Sequence, residues 1–389
     1  MMQKWKVAIG ALYAPSYIGG LGSYERGLAT ALEDHGAEGA FVSIFPEHPA
    51  LGEAEGQIPW PVKYGVSVGL WTKISNVMLR LAARPVLHPL LEAMVAAALP
   101  SKSLGKLVGK VDWVHFVGTG RDYLGFPLAH FAKRSGVRFT VWPAVHPRSW
   151  GDDVLDVRLY RQADTVMCQT AYERRHLTDL GVPKSNLMVC GLPAMCFSDG
   201  DSDRMRREFA LGDRPCALFL GRRDEGKGYF ALLRAWPLVL QKVPEACVLL
   251  GGPGDPSKDE LAKLPAESFR DLGLASERTK ADALATCDLF CLPSSHESFG
   301  IAYVEAWLYG KPVVCGTAPA CRELIEDGKS GLWADQDPEN LAEKIVRIFK
   351  ERAWAVSMGE YGHSLQQKRF SWRAVVDAHL SAAGLSNVT

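Results

Sequence analysis

The 389-residue chain has no apolar run long enough to cross a bilayer. The nearest, Pro85 to Leu99, is interrupted by His88, Pro89 and Glu92. The opening MMQKWKVAIGALYAP has an apolar core at the short limit for a signal peptide and reads better as a first strand. Net charge is also missing, with 44 Lys+Arg against 44 Asp+Glu. None of the nine cysteines forms a C-x-x-C pair, and Cys287 with Cys291 suits two ends of one buried strand better than a zinc site. An odd number of cysteines scattered through apolar runs fits reduced core thiols. These absences argue against a membrane-spanning bundle, a disulfide scaffold and a zinc module. They predict a cytoplasmic protein, and no nucleic acid is expected among its partners.

What is present is an ordinary globular composition, 47% hydrophobic, in a chain long enough for two domains. Charge is uneven along it. Residues 60–150 carry 12 basic against 3 acidic side chains, a surface that could meet an anionic membrane or a phosphate-bearing acceptor, or simply be solvated.

The most informative stretch is Cys287 to Pro312, CDLFCLPSSHESFGIAYVEAWLYGKP. Leu289 to Leu292 is a short apolar strand, broken by Pro293, Ser294 and Ser295. Phe299 to Tyr309 then follows a helical pattern closed by Gly310 and Pro312. That helix is apolar nearly all round and should be buried, yet it carries Glu305 on the face of Ile301, Val304 and Leu308. A lone buried carboxylate costs several kcal/mol, so a ligand, an Arg or backbone amides must come to it. Glu297 stands in the loop before the helix, and the amides near Gly300 and Ile301 favour a phosphate. Helical geometry allows the two glutamate backbones to lie up to ~12 Å apart. That is wide for a glycosidase pair, whose carboxyl groups stand about 5 to 9.5 Å apart. It suits two ends of one long ligand.

ESFGIAYVE resembles the E-x7-E motif of retaining glycosyltransferases of the GT-B fold, particularly glycosyltransferase family 4. The following GKPVV and ELIEDGKSGLW are similar to that family too. The resemblance implies that Glu297 contacts the donor sugar and Glu305 the ribose. The Gly300 and Ile301 amides would then lie at the diphosphate, with Ser298 and Phe299 also among the donor-binding residues.

Earlier in the chain, Gly19-Gly20-Leu21-Gly22 stands between a strand, Lys4 to Tyr13, and a helix from about Ser23 to His35. Such glycines serve a tight turn or let backbone approach an anion. The match to the family's glycine loop assigns Gly20 and Gly22 to the donor. Trp71 to Leu99 is amphipathic in composition, either a membrane-surface helix or one packed on its own domain. His146 follows the strand Arg138 to Val145, and by resemblance it is the family's histidine at the edge of the cleft, where it would position the donor sugar. After the strand Cys216 to Gly221 comes GRRDEGKGYFALLRAW, in which Arg222 and Lys227 resemble the family's basic pair on the leaving diphosphate. Asp199-Gly-Asp201 is formally a D-x-D metal motif, but it lies in a polar connecting segment and is discounted.

The expected architecture is α/β, GT-B, with two Rossmann-like doubly wound domains facing across a cleft. Residues 1–196 form the acceptor-side domain, 197–213 a linker and 214–370 the nucleotide-sugar domain. Residues 371–389 form a helix returning to the first domain. The implied activity is retaining transfer of a hexose-type sugar from a nucleotide-diphosphate sugar to a glycan, lipid-linked or small-molecule acceptor. No metal and no cofactor are expected, and peripheral contact with an anionic inner membrane face through residues 60–150 is allowed. A sugar-nucleotide epimerase and a catalytically silent nucleotide-binding partner share the architecture and are the alternatives.

Overall fold

A computed structural model describes residues 5–13, 15, 20–45, 58–64, 87 and 101–385. The chain divides into two units, Met1–Gly191 with Trp372–Thr389, and Leu192–Ser371. The stretch Trp71 to Leu99, apart from residue 87, lies outside the described residues.

Unit 1 is built on seven parallel strands, β1 (Lys6–Tyr13), β2 (Glu38–Phe45), β3 (Val62–Tyr64), β4 (Trp113–Val117), β5 (Arg138–Trp142), β6 (Thr165–Cys168) and β7 (Leu187–Val189). Their order is β3-β2-β1-β4-β5-β6-β7, so the direction of winding reverses between β1 and β4. β4 is buried along its whole length, as a strand covered on both faces must be. The connecting helices include α1 (Gly20–Asp34), α2 (Ser101–Val108), α3 (Gly125–Ser135), α4 (Val154–Tyr160) and α5 (Ala171–Asp179).

Unit 2 repeats the plan with six parallel strands, β8 (Cys216–Leu220), β9 (Cys247–Gly251), β10 (Phe269–Gly273), β11 (Leu289–Leu292), β12 (Val313–Cys315) and β13 (Leu332–Trp333). Their order, β10-β9-β8-β11-β12-β13, reverses between β8 and β11. Its helices are α6 (Ser202–Glu208), α7 (Tyr229–Leu240), α8 (Lys258–Leu261), α9 (Glu277–Thr286), α10 (Ile301–Leu308), α11 (Pro319–Leu324), α12 (Pro338–Lys350) and α13 (Arg352–Arg369). The short α10 is pinned at both ends. The hydroxyl of Tyr303 donates to the Leu292 carbonyl at 2.5 Å, and the Trp307 indole N–H donates to the Ser330 carbonyl at 2.9 Å.

A last helix, α14 (Trp372–Ala383), belongs to unit 1 and packs on α1. A Cβ on Gly27 would stand 2.1 Å from the Trp372 indole, so the close approach of these helices requires glycine there. His379 Nδ1 lies 2.7 Å from the Val375 carbonyl, a contact in which the nitrogen must donate. Its Nε2 is therefore the acceptor for the Tyr24 hydroxyl at 2.5 Å.

Two expectations change. Residues 197–213 are no free linker but part of unit 2. The Arg204 guanidinium at the N-terminal end of α6 bonds Asp282 on α9 at 2.7 and 2.5 Å. Within that segment Asp201 caps α6 and Asp199 pairs with Arg278, so the D-x-D carboxylates have structural partners. The helix expected from Ser23 begins at Gly20, which places Gly20 and Gly22 in its first turn instead of the preceding loop.

Candidate active site

The carboxyl edge of the unit 2 sheet, at the β8/β11 reversal, is where open α/β sheets hold ligands. The loop after β8 and the loop after β11 meet there. The Gly226 carbonyl accepts the Ser295 amide at 2.9 Å and the Ser294 hydroxyl at 3.1 Å. Gln336 ties the same two loops, its amide donating to Glu225 and Pro293 carbonyls, both at 2.9 Å. The approach is tight enough that side chains are excluded. Gly228 adopts φ 75° with Pro293 O 2.5 Å from where a Cβ would be, and a Cβ on Gly316 would stand 2.1 Å from Ser294 O.

This knitting brings Lys227 and Glu297, 70 residues apart in sequence, into an ion pair between Nζ and Oε2. Both side chains are mostly buried, at 16% and 11% exposure, so the pair is shielded from solvent screening. Asp224 organises the loop beneath it. One carboxylate oxygen accepts the Lys227 amide at 2.8 Å and the other accepts Arg222 Nε at 2.8 Å. Burial alone would raise the pKa of Asp224, but the bonds from Arg222 and Lys227 hold it below the usual carboxylate value. Arg222 itself is largely exposed beyond its bond to Asp224. Its neighbour Arg223 is buried. It binds Asp271 in a forked pair and donates to the Gly252 carbonyl at 3.0 Å, which makes it a brace across β8, β9 and β10.

Gly300, at φ 94°, caps α10 without any side-chain hydrogen bond, leaving first-turn amides for another acceptor. Ser298 and Ile301 are half-buried beside it, while Phe299 turns inward against Phe370. Glu305 is 5% exposed. The group that comes to it from the protein is Lys280 of α9, with Nζ 3.2 Å from Oε1. Of the two protein partners considered from sequence, neither an arginine nor a backbone amide fills this role. Lys280 could have been found as the only lysine between positions 264 and 310. Asp224, Gln336 and Arg223 carry no such signal, because their roles depend on which loops meet.

The remaining candidates lie in unit 1. His146 follows β5 on an exposed turn closed by its own backbone, with its amide donating to the Trp150 carbonyl at 3.0 Å. The turn is strained, since Ala144 and Arg148 have φ of 50° and 67°. Glu173 anchors it from α5, accepting the Val145 amide at 3.1 Å and the Gln169 amide at 2.6 Å. The structure thus brings Arg222, Lys227, Glu297, Gly300 and Glu305 onto one edge of unit 2, with Gly20, Gly22 and His146 in the other unit. Among the described residues, no three metal-ligating side chains converge.

Residues 214–351 match the family model of Glycosyl transferases group 1. The chain is 28% identical over 317 residues to the GDP-mannose-dependent alpha-(1-6)-phosphatidylinositol monomannoside mannosyltransferase of Mycolicibacterium smegmatis, covering 75% of this chain and 81% of that one. It is 39% identical over 167 residues to the phosphatidyl-myo-inositol mannosyltransferase of Mycobacterium tuberculosis, covering 41% of this chain and 44% of the relative, so this second match spans under half of either protein. In fold it is similar to Anabaena HepE in complex with UDP, with a TM-score of 0.71, 17% identity and coverage of 97% and 99%.

Proposed function

We propose that the chain is a GT-B glycosyltransferase that draws on a nucleotide-sugar donor and transfers a hexose-type sugar with retention, giving an α-linkage. The observation that carries the reading is the shielded Lys227–Glu297 pair beside a helix start with no side-chain cap at the sheet's switch point. A diphosphate seated on the first-turn amides of α10 would meet Lys227 and the exposed Arg222. Arg222 supplies forked donors and Lys227 a point charge, each strengthening as negative charge grows on the departing phosphate. Glu297 is assigned the donor sugar, Glu305 the ribose and His146 the positioning of the sugar. The leaving phosphate itself takes the acceptor's proton, so neither metal nor further cofactor is called for. Two relatives are named for phosphatidylinositol-based acceptors, which favours a lipid-linked acceptor and contact with anionic membrane through residues 60–150.

A thermal-shift panel of UDP, GDP and ADP identifies the base, because a ligand that binds only the native state raises its stability. Transfer from the matching sugar donor, followed by NMR of the product's anomeric proton with and without chelator, tests the chemistry. An inverted product overturns retention, and loss of turnover on chelation overturns metal independence. Liposome binding that weakens as salt rises is the expected outcome for the membrane contact.

A further inference from the structure

Glu305 has a partner that the donor reading does not use. Lys280 lies one turn into α9, with Nζ 3.2 Å from Glu305 Oε1 and 2.9 Å from Glu277 Oε2. Glu277 is more than half exposed and Glu305 almost wholly buried, so one ammonium bridges a surface carboxylate and an interior one. Burial would push the lysine's pKa down, yet Glu305 and then Glu277 together hold it above its ordinary value. The other titratable group beside it is the Cys196 thiol, raised by burial and therefore neutral. The lysine is thus a fixed cation in a nearly dry site.

A buried carboxylate has to be both ionised and aimed before it can accept two vicinal hydroxyls. It offers about four lone-pair positions on two oxygens. Lys280 engages one oxygen and leaves the other, with the remaining lone pairs, to a ligand. We propose that Lys280 is a positioning residue for the nucleotide's ribose, acting through Glu305 by pairing with one carboxylate oxygen and fixing its orientation. The proposal rests on the assignment of Glu305 to the ribose.

Calorimetry with the nucleoside diphosphate that gives the largest thermal shift, and with its 2′,3′-dideoxy counterpart, separates the two claims. The intact protein should prefer the ribonucleotide by about tenfold or more, the worth of hydrogen bonds to a charged group. E305Q should remove most of that preference. K280M should remove it as well while leaving dideoxynucleotide affinity unchanged, and K280R should restore most of it. If K280M fails to fold by circular dichroism, K280Q replaces it with the same expectation, being neutral yet still able to donate. A preference that survives E305Q refutes the ribose assignment itself. A preference lost in E305Q but kept in the Lys280 variants overturns the role of Lys280. Equal loss of both nucleotides in the Lys280 variants overturns it too, by making the lysine only structural.

Discussion

The two units bury charge in different ways. In unit 2 the three buried charged residues each face an opposite charge, Arg223 with Asp271, Asp282 with Arg204 and Glu305 with Lys280. Among the described residues of unit 1, the buried carboxyls Glu173 and Asp156 are held by backbone amides instead, and a third, Glu25, is pushed well up by burial. Burial, opposed by those amides, pushes Glu173 up to about 8. Asp156 is pushed up to about 7, by burial first and then by neighbouring Asp153. Buried His379 is lowered by the same cause to about 4. The amide bonds lower the pKa of Glu173 and Asp156 without cancelling the larger effect of burial, whereas in unit 2 each buried charge has an opposite charge beside it.

The sharpest way to break this contrast is to remove the unit 2 cation nearest the chemistry. Lys227→Ala should lower kcat by about 10²- to 10³-fold, since it deletes a charge-assisted contact to the departing diphosphate and leaves Glu297 unpaired. It should weaken nucleotide-diphosphate binding as well. Steady-state kinetics on a variant of unchanged melting temperature decides it, and an unaltered kcat would remove Lys227 from the mechanism.

Adjacent arginines offer the next test. Arg223→Ala strands Asp271 and should cost about 3 kcal/mol of stability, at the low end for a buried pair because Asp271 is a third exposed. Arg222→Ala should leave stability as it is and lower turnover. Denaturant melts and kinetics on both variants would show the roles reversed if the brace and the phosphate ligand had been misassigned.

That distinction could not be read from GRRDEGKG, where both arginines look alike. What sequence reveals is whatever depends on local order, such as the strand–loop–helix of Leu289 to Leu308 and the anomaly of a carboxylate on an apolar helix. It does not reveal which loops meet. Gln336 bridges Glu225 and Pro293 across more than a hundred residues of chain on one side, and Lys280 reaches Glu305 from a separate helix. The segment 197–213 looked like a linker because it is polar, but two of its charges, Arg204 and Asp199, pair with Asp282 and Arg278. The His146 turn was visible as residues after a strand, whereas its anchor, Glu173, sits in a helix whose polar sequence gives no sign of burial.

Within the donor edge, the two glutamates should separate cleanly. Glu305→Gln should weaken plain nucleotide diphosphate and full donor alike, by about 1 to 3 kcal/mol for a hydrogen bond to a charged group. Glu297→Gln should leave nucleotide affinity nearly unchanged and lower transfer, because Lys227 keeps its charge for the diphosphate while the hydroxyls assigned to Glu297 are present only when the sugar is attached. Calorimetry with nucleotide and with a non-reactive donor analogue checks both. Equal weakening of plain nucleotide by the two variants would show that the ends of the ligand had been assigned wrongly.

The smallest effect tests the contrast most directly. Glu173 has a folded pKa of about 8, above its value in an unfolded chain. The folded state therefore binds the extra proton, and the stability this contributes is present at acid pH and lost as pH rises through about 8. Glutamine matches the protonated acid in volume and charge but turns one of its two amide acceptors into a donor. Glu173→Gln should therefore melt below the parent near pH ~5 and gain on it progressively toward pH ~9. His379 works in the opposite direction. Its lowered pKa contributes stability that is present above about 6.5 and lost as pH falls toward about 4, so it affects only the acid limb. Asp271 in unit 2 supplies the control. Its pKa is lowered, first by the bond from Arg223, so it stays ionised across that window. Asp271→Asn should lower the melting temperature by the same amount at every pH between them. Scanning calorimetry of the three proteins across that range would measure the slopes directly. A flat difference for Glu173→Gln would mean that the amides of Val145 and Gln169 hold the carboxylate charged at neutral pH. Glu173 would then keep its charge by hydrogen bonds alone.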